Sequence, residues 1–184
     1  MNLDVKDLKK VFLDLKRNNK VLKIKDKKRK VVVFDIGSKS IKIAQGMYYK
    51  KNITIDKLLK VETPQGVIKD GDIVNKGLLV NKLKNILVEN SIKADYGICT
   101  NNSSSIINRE ITIPKVENDE IETVVRFEIQ QYLPINLDDY VIQTSILEET
   151  EDNKLDVRVI AYPEKMARSY YDILKELNLK PYAL

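Results

Sequence analysis

Apolar residues recur at helix or strand spacing along most of this chain, and the spacing predicts its elements in order. Residues 3–17 carry Leu3 and then set Leu8, Val11, Phe12 and Leu15 three and four apart among lysines, which predicts an amphipathic helix. Asn18 and Asn19 end that period. Residues 23–30 (KIKDKKRK) read as a charged connector, so folded structure is expected from Val31. Val31 to Ile36 is a β-branched run, Ser40 to Gln45 alternates, and the GSK between them predicts a tight hairpin turn. Ile53, Ile55 and Val61 predict a third strand or strand pair closed by Pro64, and PQG and KDGD mark a long turn. Asn75 opens a helix over 76–90 with a stripe of Leu79, Leu83, Ile86 and Leu87, ended by Asn90. Tyr96 to Thr100 reads as a buried strand, and a polar NNSSS loop separates it from a strand at Ile106 to Ile113, stopped by Pro114. A helix over 119–133 collects Ile121, Val124, Val125, Ile129, Tyr132 and Leu133 on one face and ends at Pro134. Tyr140 to Leu147 and Leu155 to Ala161 predict a hairpin around the acidic turn EETEDN. Tyr162-Pro163 starts a last helix whose buried face is Met166, Tyr170, Leu174 and Leu177, and the closing KPYAL carries no stop signal. Short hairpins mixed with helical crossovers predict an α/β or α+β layered fold.

Composition narrows the chemistry. The 184 residues are 43% apolar, enough for one domain or two small ones with a real core. Twelve basic and four acidic residues fall in the first 30, leaving 20 basic and 23 acidic after them, so a leading segment of net +8 precedes a body of net −3. A basic balance confined to one leading segment argues against a nucleic-acid face. With no histidine, a Ser-His-Asp or Cys-His relay within this chain is excluded. The single cysteine, Cys99, allows no internal disulfide or zinc cluster and is expected in the core. No run reaches 18 apolar residues and no signal peptide is apparent, which leads to the expectation of a cytoplasmic protein.

The segment with most chemistry is Phe34-Asp35-Ile36-Gly37-Ser38-Lys39-Ser40-Ile41-Lys42, an acid at a strand end followed by a glycine and hydroxyl turn. Gly37 lets backbone come close, N–H groups around Ser38 to Ser40 can share one concavity, and the hydroxyls add donors, so the parts suit a phosphate. Asp35 is placed to hold magnesium through water, since Mg²⁺ keeps several waters and takes few carboxylates. Lys42, two positions past Ser40 on one strand face, is within reach of a terminal phosphate. Spacing alone favours a plain hairpin with a polar turn, because the segment is neither a Walker loop nor a GxGxxG.

The stretch VVVFDIGSKSIKIAQG resembles the phosphate-1 hairpin of the actin-like ATPase superfamily. Three further segments narrow the resemblance to the PilM family of type IV pilus assembly proteins. They are Thr63-Pro64-Gln65-Gly66-Val67-Ile68-Lys69-Asp70-Gly71-Asp72-Ile73, Arg109-Glu110-Ile111-Thr112-Ile113-Pro114, and Glu128-Ile129-Gln130-Gln131-Tyr132-Leu133-Pro134-Ile135. The cell-division protein FtsA shares the hairpin but not the YLP segment. The resemblance runs from about Val31 to Leu184. It implies an α/β, actin-like (ribonuclease H-like) subdomain 1A in its first part at 31–102, an inserted FtsA-type 1C subdomain at 103–153, and a return to 1A at 154–184. The second half of the actin-like fold, with its phosphate-2 and adenosine motifs, is absent from this sequence, and residues 1–30 stand before the family region.

The resemblance implies a cytoplasmic scaffold on the inner face of the cell membrane, serving a type IV pilus or related secretion platform. It implies ATP and magnesium as ligands at Asp35, Gly37, Ser38, Lys39, Ser40 and Lys42, with Asp35 toward the metal and no hydrolysis by this chain alone. The partner implied is the N-terminal cytoplasmic peptide of a PilN-like inner-membrane protein, in a groove between 1A and 1C, beside other platform proteins. The residues singled out for it are Arg109, Glu128, Gln131, Tyr132, Leu133 and Pro134, for which a helix end packed on a small sheet is the structural alternative. Two rivals stand beside this reading: an FtsA-like polymerising membrane anchor, and an ATP-dependent enzyme of the sugar-kinase branch. The basic N-terminal helix has three readings: Leu8, Phe12 and Leu15 inserted in an anionic membrane surface with Lys9 and Lys16 on phosphates, a partner helix, or a solvated arm.

Overall fold

Alternation decides the first sheet in the computed structural model, which describes residues 27–50, 52–132 and 135–184. The expected N-terminal helix, with Leu8, Lys9, Phe12, Leu15 and Lys16, and the Leu133-Pro134 pair lie outside the described residues. Strand β1 (Arg29–Ile36) starts two residues earlier than expected and turns Val32, Phe34 and Ile36 to one face and Val33 and Asp35 to the other. Strand β2 (Ser40–Tyr49) runs antiparallel to β1, setting Ile43 against Phe34 and Lys42 against Asp35. Strand β3 (Asn52–Glu62) is one strand and not a pair; its register shifts beside Gly46, where an added Cβ would lie 2.1 Å from the Thr54 carbonyl oxygen. The long turn that follows contains a small ribbon of β4 (Ile68–Lys69) and β5 (Asp72–Ile73). Helix α1 (Lys76–Glu89) is capped by Asn75, whose side chain accepts from the Leu78 N–H at 3.0 Å, and buries Leu79, Val80, Leu83 and Ile86. Strand β6 (Tyr96–Thr100) lies parallel to β1 and carries the buried Cys99.

A second sheet follows. Strand β7 (Ile107–Pro114), helix α2 (Ile121–Tyr132), a single 3-10 turn at Leu137–Asp139, and strands β8 (Tyr140–Glu149) and β9 (Lys154–Pro163) make a three-stranded antiparallel sheet in the order β7-β9-β8. Its core joins Ile121, Val125 and Ile129 of α2 to Ile113, Val157, Val159 and Ala161 of the strands. Helix α3 (Glu164–Glu176) and strand β10 (Lys180–Ala183) return to the first sheet, whose order is β10-β6-β1-β2-β3 with β6 and β10 parallel to β1. An antiparallel meander continued by two parallel strands is the ribonuclease H-like arrangement.

The chain divides into two compact units, one running to Ser103 and resuming at Met166–Leu184, the other Ser104–Lys165. This corrects the expected return at residue 154. β9 bonds to β7 from Ile107↔Ala161 to Pro114↔Lys154 and to β8 on its other side, so it is the centre of the inserted sheet and stays with it. Pro163 ends that strand and the helix begins at Glu164, one residue later than expected. The unforeseen β10 is four residues long and contains Pro181, tolerable because β10 is an edge strand. Helix α3 covers the Val32 side of the first sheet, since a Cβ on Gly97 of β6 would lie 2.6 Å from Leu174.

Candidate functional site

The hairpin residues converge at the end of the first sheet where β1 turns into β2. Pairing of β2, β1 and β6 lines up Lys42, Asp35 and Thr100 across three strands. The Lys42 ammonium lies 2.7 Å from Asp35 Oδ2, and the Thr100 hydroxyl donates to Asp35 Oδ1 at 3.3 Å. Lys60 of β3 extends the row beyond Lys42. With the side chains of Lys42 and Asp35 59% and 46% exposed, the ion pair contributes at most about 1 kcal/mol. It is a contact that an incoming anion can break, freeing Lys42 for phosphate and Asp35 for a hydrated cation.

The turn itself is held from both sides. The Gly37 N–H donates to the Ser40 carbonyl at 3.1 Å, and a Cβ at Gly37 would come 3.1 Å from that oxygen. The glycine is needed for this close approach, not for a left-handed backbone. From β3's end, the Thr63 hydroxyl donates to the Gly37 carbonyl at 2.6 Å and the Thr63 N–H to the Lys39 carbonyl at 3.1 Å. Thr63 is only 8% exposed. Its two bonds take carbonyls of the turn and consume none of its N–H donors, while Ser38 and Lys39 stand exposed at the tip. A pinned turn with the side chains of Ser38 and Lys39 exposed at its tip offers a hydroxyl and an ammonium donor to an anion.

For a metal the fit is narrower. Asp35 is one carboxylate already contacted by Lys42 and Thr100, and no group of three or more His, Cys, Asp or Glu among the described residues is placed to hold an ion. The donor set suits magnesium carried by phosphates and touched by Asp35 through water, not a metal held by protein alone. Mg-nucleotide, if bound, would supply its own charge neutralisation, and Asp35, Lys42 and the turn donors are the residues that would hold it.

Sequence reasoning did not reach Thr100 or the clamping role of Thr63. Thr100 becomes Asp35's neighbour only through a parallel pairing 65 residues away, whereas Thr63, next to Pro64 at the end of β3, was visible as part of a motif. The rest of that motif braces the fold. Gly71 has φ +80 and packs so closely on the 101–103 loop that a Cβ would sit 2.8 Å from the Asn102 carbonyl oxygen, and its own carbonyl accepts the buried Tyr170 hydroxyl at 2.8 Å.

The other candidates sit in the second unit. Arg109 is exposed on edge strand β7 opposite Val159, on the sheet face that carries Ile111 and Ile113. Glu128 is half-buried and Gln131 exposed in the last turn and a half of α2, whose final residue is Tyr132. Neighbouring side chains pair among themselves: Arg158 with Glu110 at 2.6 Å, and Arg126 with Glu122 at 3.4 Å and with the Leu137 carbonyl at 3.3 Å, the latter fastening the 3-10 turn to α2.

Comparison with known proteins bears on both units. No curated protein sequence matches this chain. Among solved structures, it is similar to a chain of a PilM-PilN type IV pilus biogenesis complex, with 22% identity over 84% of this chain and 46% of that one and a TM-score of 0.73. It is also similar to the cytoplasmic domain of EpsL, an inner membrane component of the type II secretion system of Vibrio cholerae, with 11% identity over 84% of this chain and 56% of that one and a TM-score of 0.52. The chain therefore spans about half the length of the solved structures it resembles. Residues 33–183 match the family described as type IV pilus assembly protein PilM, which covers the hairpin, the brace and the inserted unit together, so this chain has the actin-like fold and belongs to the PilM family.

Proposed function

We propose that this chain is a scaffold at the cytoplasmic face of the inner-membrane platform of a type IV pilus or related secretion machine, and that it binds the N-terminal peptide of a PilN-like membrane protein. The observation that carries the reading is the fold similarity to a chain from a PilM-PilN complex, which extends over 84% of this chain and so includes the inserted unit as well as the hairpin. Among the described residues no helix is long and apolar enough to cross a membrane, which accords with recruitment by a partner. The peptide contacts fall to Arg109, Glu128, Gln131, Tyr132, Leu133 and Pro134. Exposed Arg109 and Gln131 offer polar anchors beside a strand edge and a helix end, both of which an extended peptide can use.

The same reading assigns the hairpin a Mg-ATP ligand bound through phosphates. Asp35, Lys42 and the Gly37 to Ser40 turn would hold it; the work is binding, not turnover. Affinity is expected to be weak, since a phosphate cradle alone leaves adenine and ribose uncontacted.

Calorimetric titration of the chain with a synthetic N-terminal PilN-like peptide from the same cell, and separately with Mg-ATP, tests both assignments. The peptide is expected to bind, and Glu128→Ala and Tyr132→Ala to weaken it about tenfold or more, as truncated anchors do. Absence of binding heat across the solubility range of the peptide would refute the docking assignment. Asp35→Ala and Lys42→Ala are expected to abolish any Mg-ATP binding with the melting temperature nearly unchanged; unaltered affinity in both would remove the hairpin from the site.

A further inference from the structure

Strands β2 and β3 set two lysines against each other. Their pairing is regular from Ser40↔Glu62 to Lys42↔Lys60, short of the register shift beside Gly46, so Lys42 and Lys60 stand directly opposite on one face. Directly opposed residues on antiparallel strands have Cβ atoms about 4.5–5.5 Å apart, and like charges there are destabilising. Asp35 answers only Lys42, because it pairs with that residue from β1, on the side away from β3. Lys57, on the other face of β3, donates to the Asn90 carbonyl, whereas among the described residues no ion pair or hydrogen bond engages Lys60. Glu62, the next residue along that face of β3, stands opposite Ser40 of the turn. The place of Lys60 is fixed, since three residues further on Thr63 clamps the Gly37 and Lys39 carbonyls.

We propose that Lys60 is a second phosphate-binding residue of the hairpin site, and that Lys42 and Lys60 together take two linked phosphates of a polyphosphate-bearing ligand. The inference deepens the phosphate assignment of the hairpin and rests on it. Lys60 lies one strand, about 4.8 Å, beyond Lys42 and on the side away from Asp35, so an anion held by the pair is kept off the carboxylate. Asp35 then remains for a hydrated cation. A polyvalent anion between the two ammonium groups replaces their repulsion with two charge-assisted contacts. The consequence is selection by phosphate number. A single phosphate has one group to share between the lysines, whereas a di- or triphosphate gives each lysine its own, so affinity rises with the number of linked phosphates.

Calorimetric titration of the full chain at low salt with orthophosphate, tripolyphosphate and Mg-ATP tests this. Tripolyphosphate is expected to bind the parent at least tenfold more tightly than orthophosphate. Lys60→Gln is expected to weaken tripolyphosphate about tenfold or more, the loss of a bond to a charged group, and Lys84→Gln, which removes a charge from α1, to leave it unchanged. Without anion, Lys60→Gln is expected to melt no lower than the parent, because it removes the repulsion, and to lose most of the rise in melting temperature that tripolyphosphate gives the parent. Unaltered tripolyphosphate affinity in Lys60→Gln, or a parent that does not bind tripolyphosphate, would overturn the inference; the nucleotide assignment then stands on its own if Mg-ATP binds and Asp35→Ala and Lys42→Ala abolish that binding. Tripolyphosphate binding that depends on Lys60, with no binding of Mg-ATP, would support the inference and refute the nucleotide instead. A Lys60→Gln protein that melts below the parent without anion would make Lys60 a structural charge, and would also overturn it.

Discussion

Gly46 and Gly37 illustrate how much one methyl group decides at a strand crossing. A Cβ on Gly46 would sit 2.1 Å from the Thr54 carbonyl oxygen and 3.1 Å from its carbon, both backbone atoms that cannot rotate away. At Gly37 the nearest atom is the Ser40 carbonyl oxygen at 3.1 Å, a contact a few tenths of an ångström relieves. Gly46→Ala is therefore expected to destabilise by about 1–3 kcal/mol or more, the range for forced overpacking, and Gly37→Ala by clearly less. Urea unfolding midpoints compare the two directly, and a Gly46→Ala protein as stable as the parent would disprove the tight β2–β3 crossing. At this scale the sequence made Asp35, Gly37 and Lys42 legible because they lie within eight residues of one another. Gly46 was not, since its partner carbonyl on β3 becomes near only once a one-residue register shift is known.

Helix ends carry the next level of argument. α1 begins with Lys76, a cation at a helix N-terminus, where the dipole disfavours it. Asp172 and Glu176 of α3 offset this, their carboxylates lying 3.5 and 2.6 Å from the ammonium. Partial burial alone would lower the pKa of Lys76; the hydrogen bond and charge of Glu176 and the charge of Asp172 outweigh it, so the pKa is raised above 10.5. A raised amine pKa stabilises the folded state fully below 10.5, and the contribution disappears as pH rises through the folded value. Lys76→Met is thus expected to melt lower than the parent at pH 8, with the gap closing above pH 10.5; thermal melts across that range check it, and a gap independent of pH would exclude the pairing as its cause. At the other end of α1, Lys57 of β3 donates to the Asn90 carbonyl, the favourable sense of the same dipole. Periodicity found α1, α2 and α3 because each buries a stripe, and it found the β8–β9 hairpin because its acidic turn interrupts two alternating runs. It missed β10, a four-residue edge strand defined by its parallel pairing with β6 from Lys180↔Tyr96 to Ala183↔Ile98. It also drew β9 into the wrong unit, because alternation reveals a strand but not which sheet bonds to it.

The whole molecule is an insertion: a five-stranded sheet interrupted between Ser103 and Met166 by a unit with its own sheet, helix and core. The chain leaves and re-enters the first unit at neighbouring points, since the Asn101 side-chain amide lies 3.1 Å from the Met166 sulfur. Each unit also closes its own core. Ile113, Val125, Val157, Val159 and Ala161 are fully buried in the second, and Phe34, Ile41, Leu79, Ile173 and Leu174 in the first. Replacing residues 104–165 with a short Gly-Ser bridge should therefore leave a folded first unit, because loop closure over a few residues costs little when the ends already meet. The two proposed ligands separate in that variant. Whatever Mg-ATP affinity the chain has stays with Asp35, Lys42 and the pinned turn, while the peptide is lost with Arg109, Glu128 and Gln131. Circular dichroism and a cooperative thermal transition, followed by the two titrations, give the answer. A variant that folds and still binds the peptide would move the docking residues onto the first sheet. One that loses its cooperative transition would mean that the insert supports the sheet it interrupts, and the two-unit description would fail.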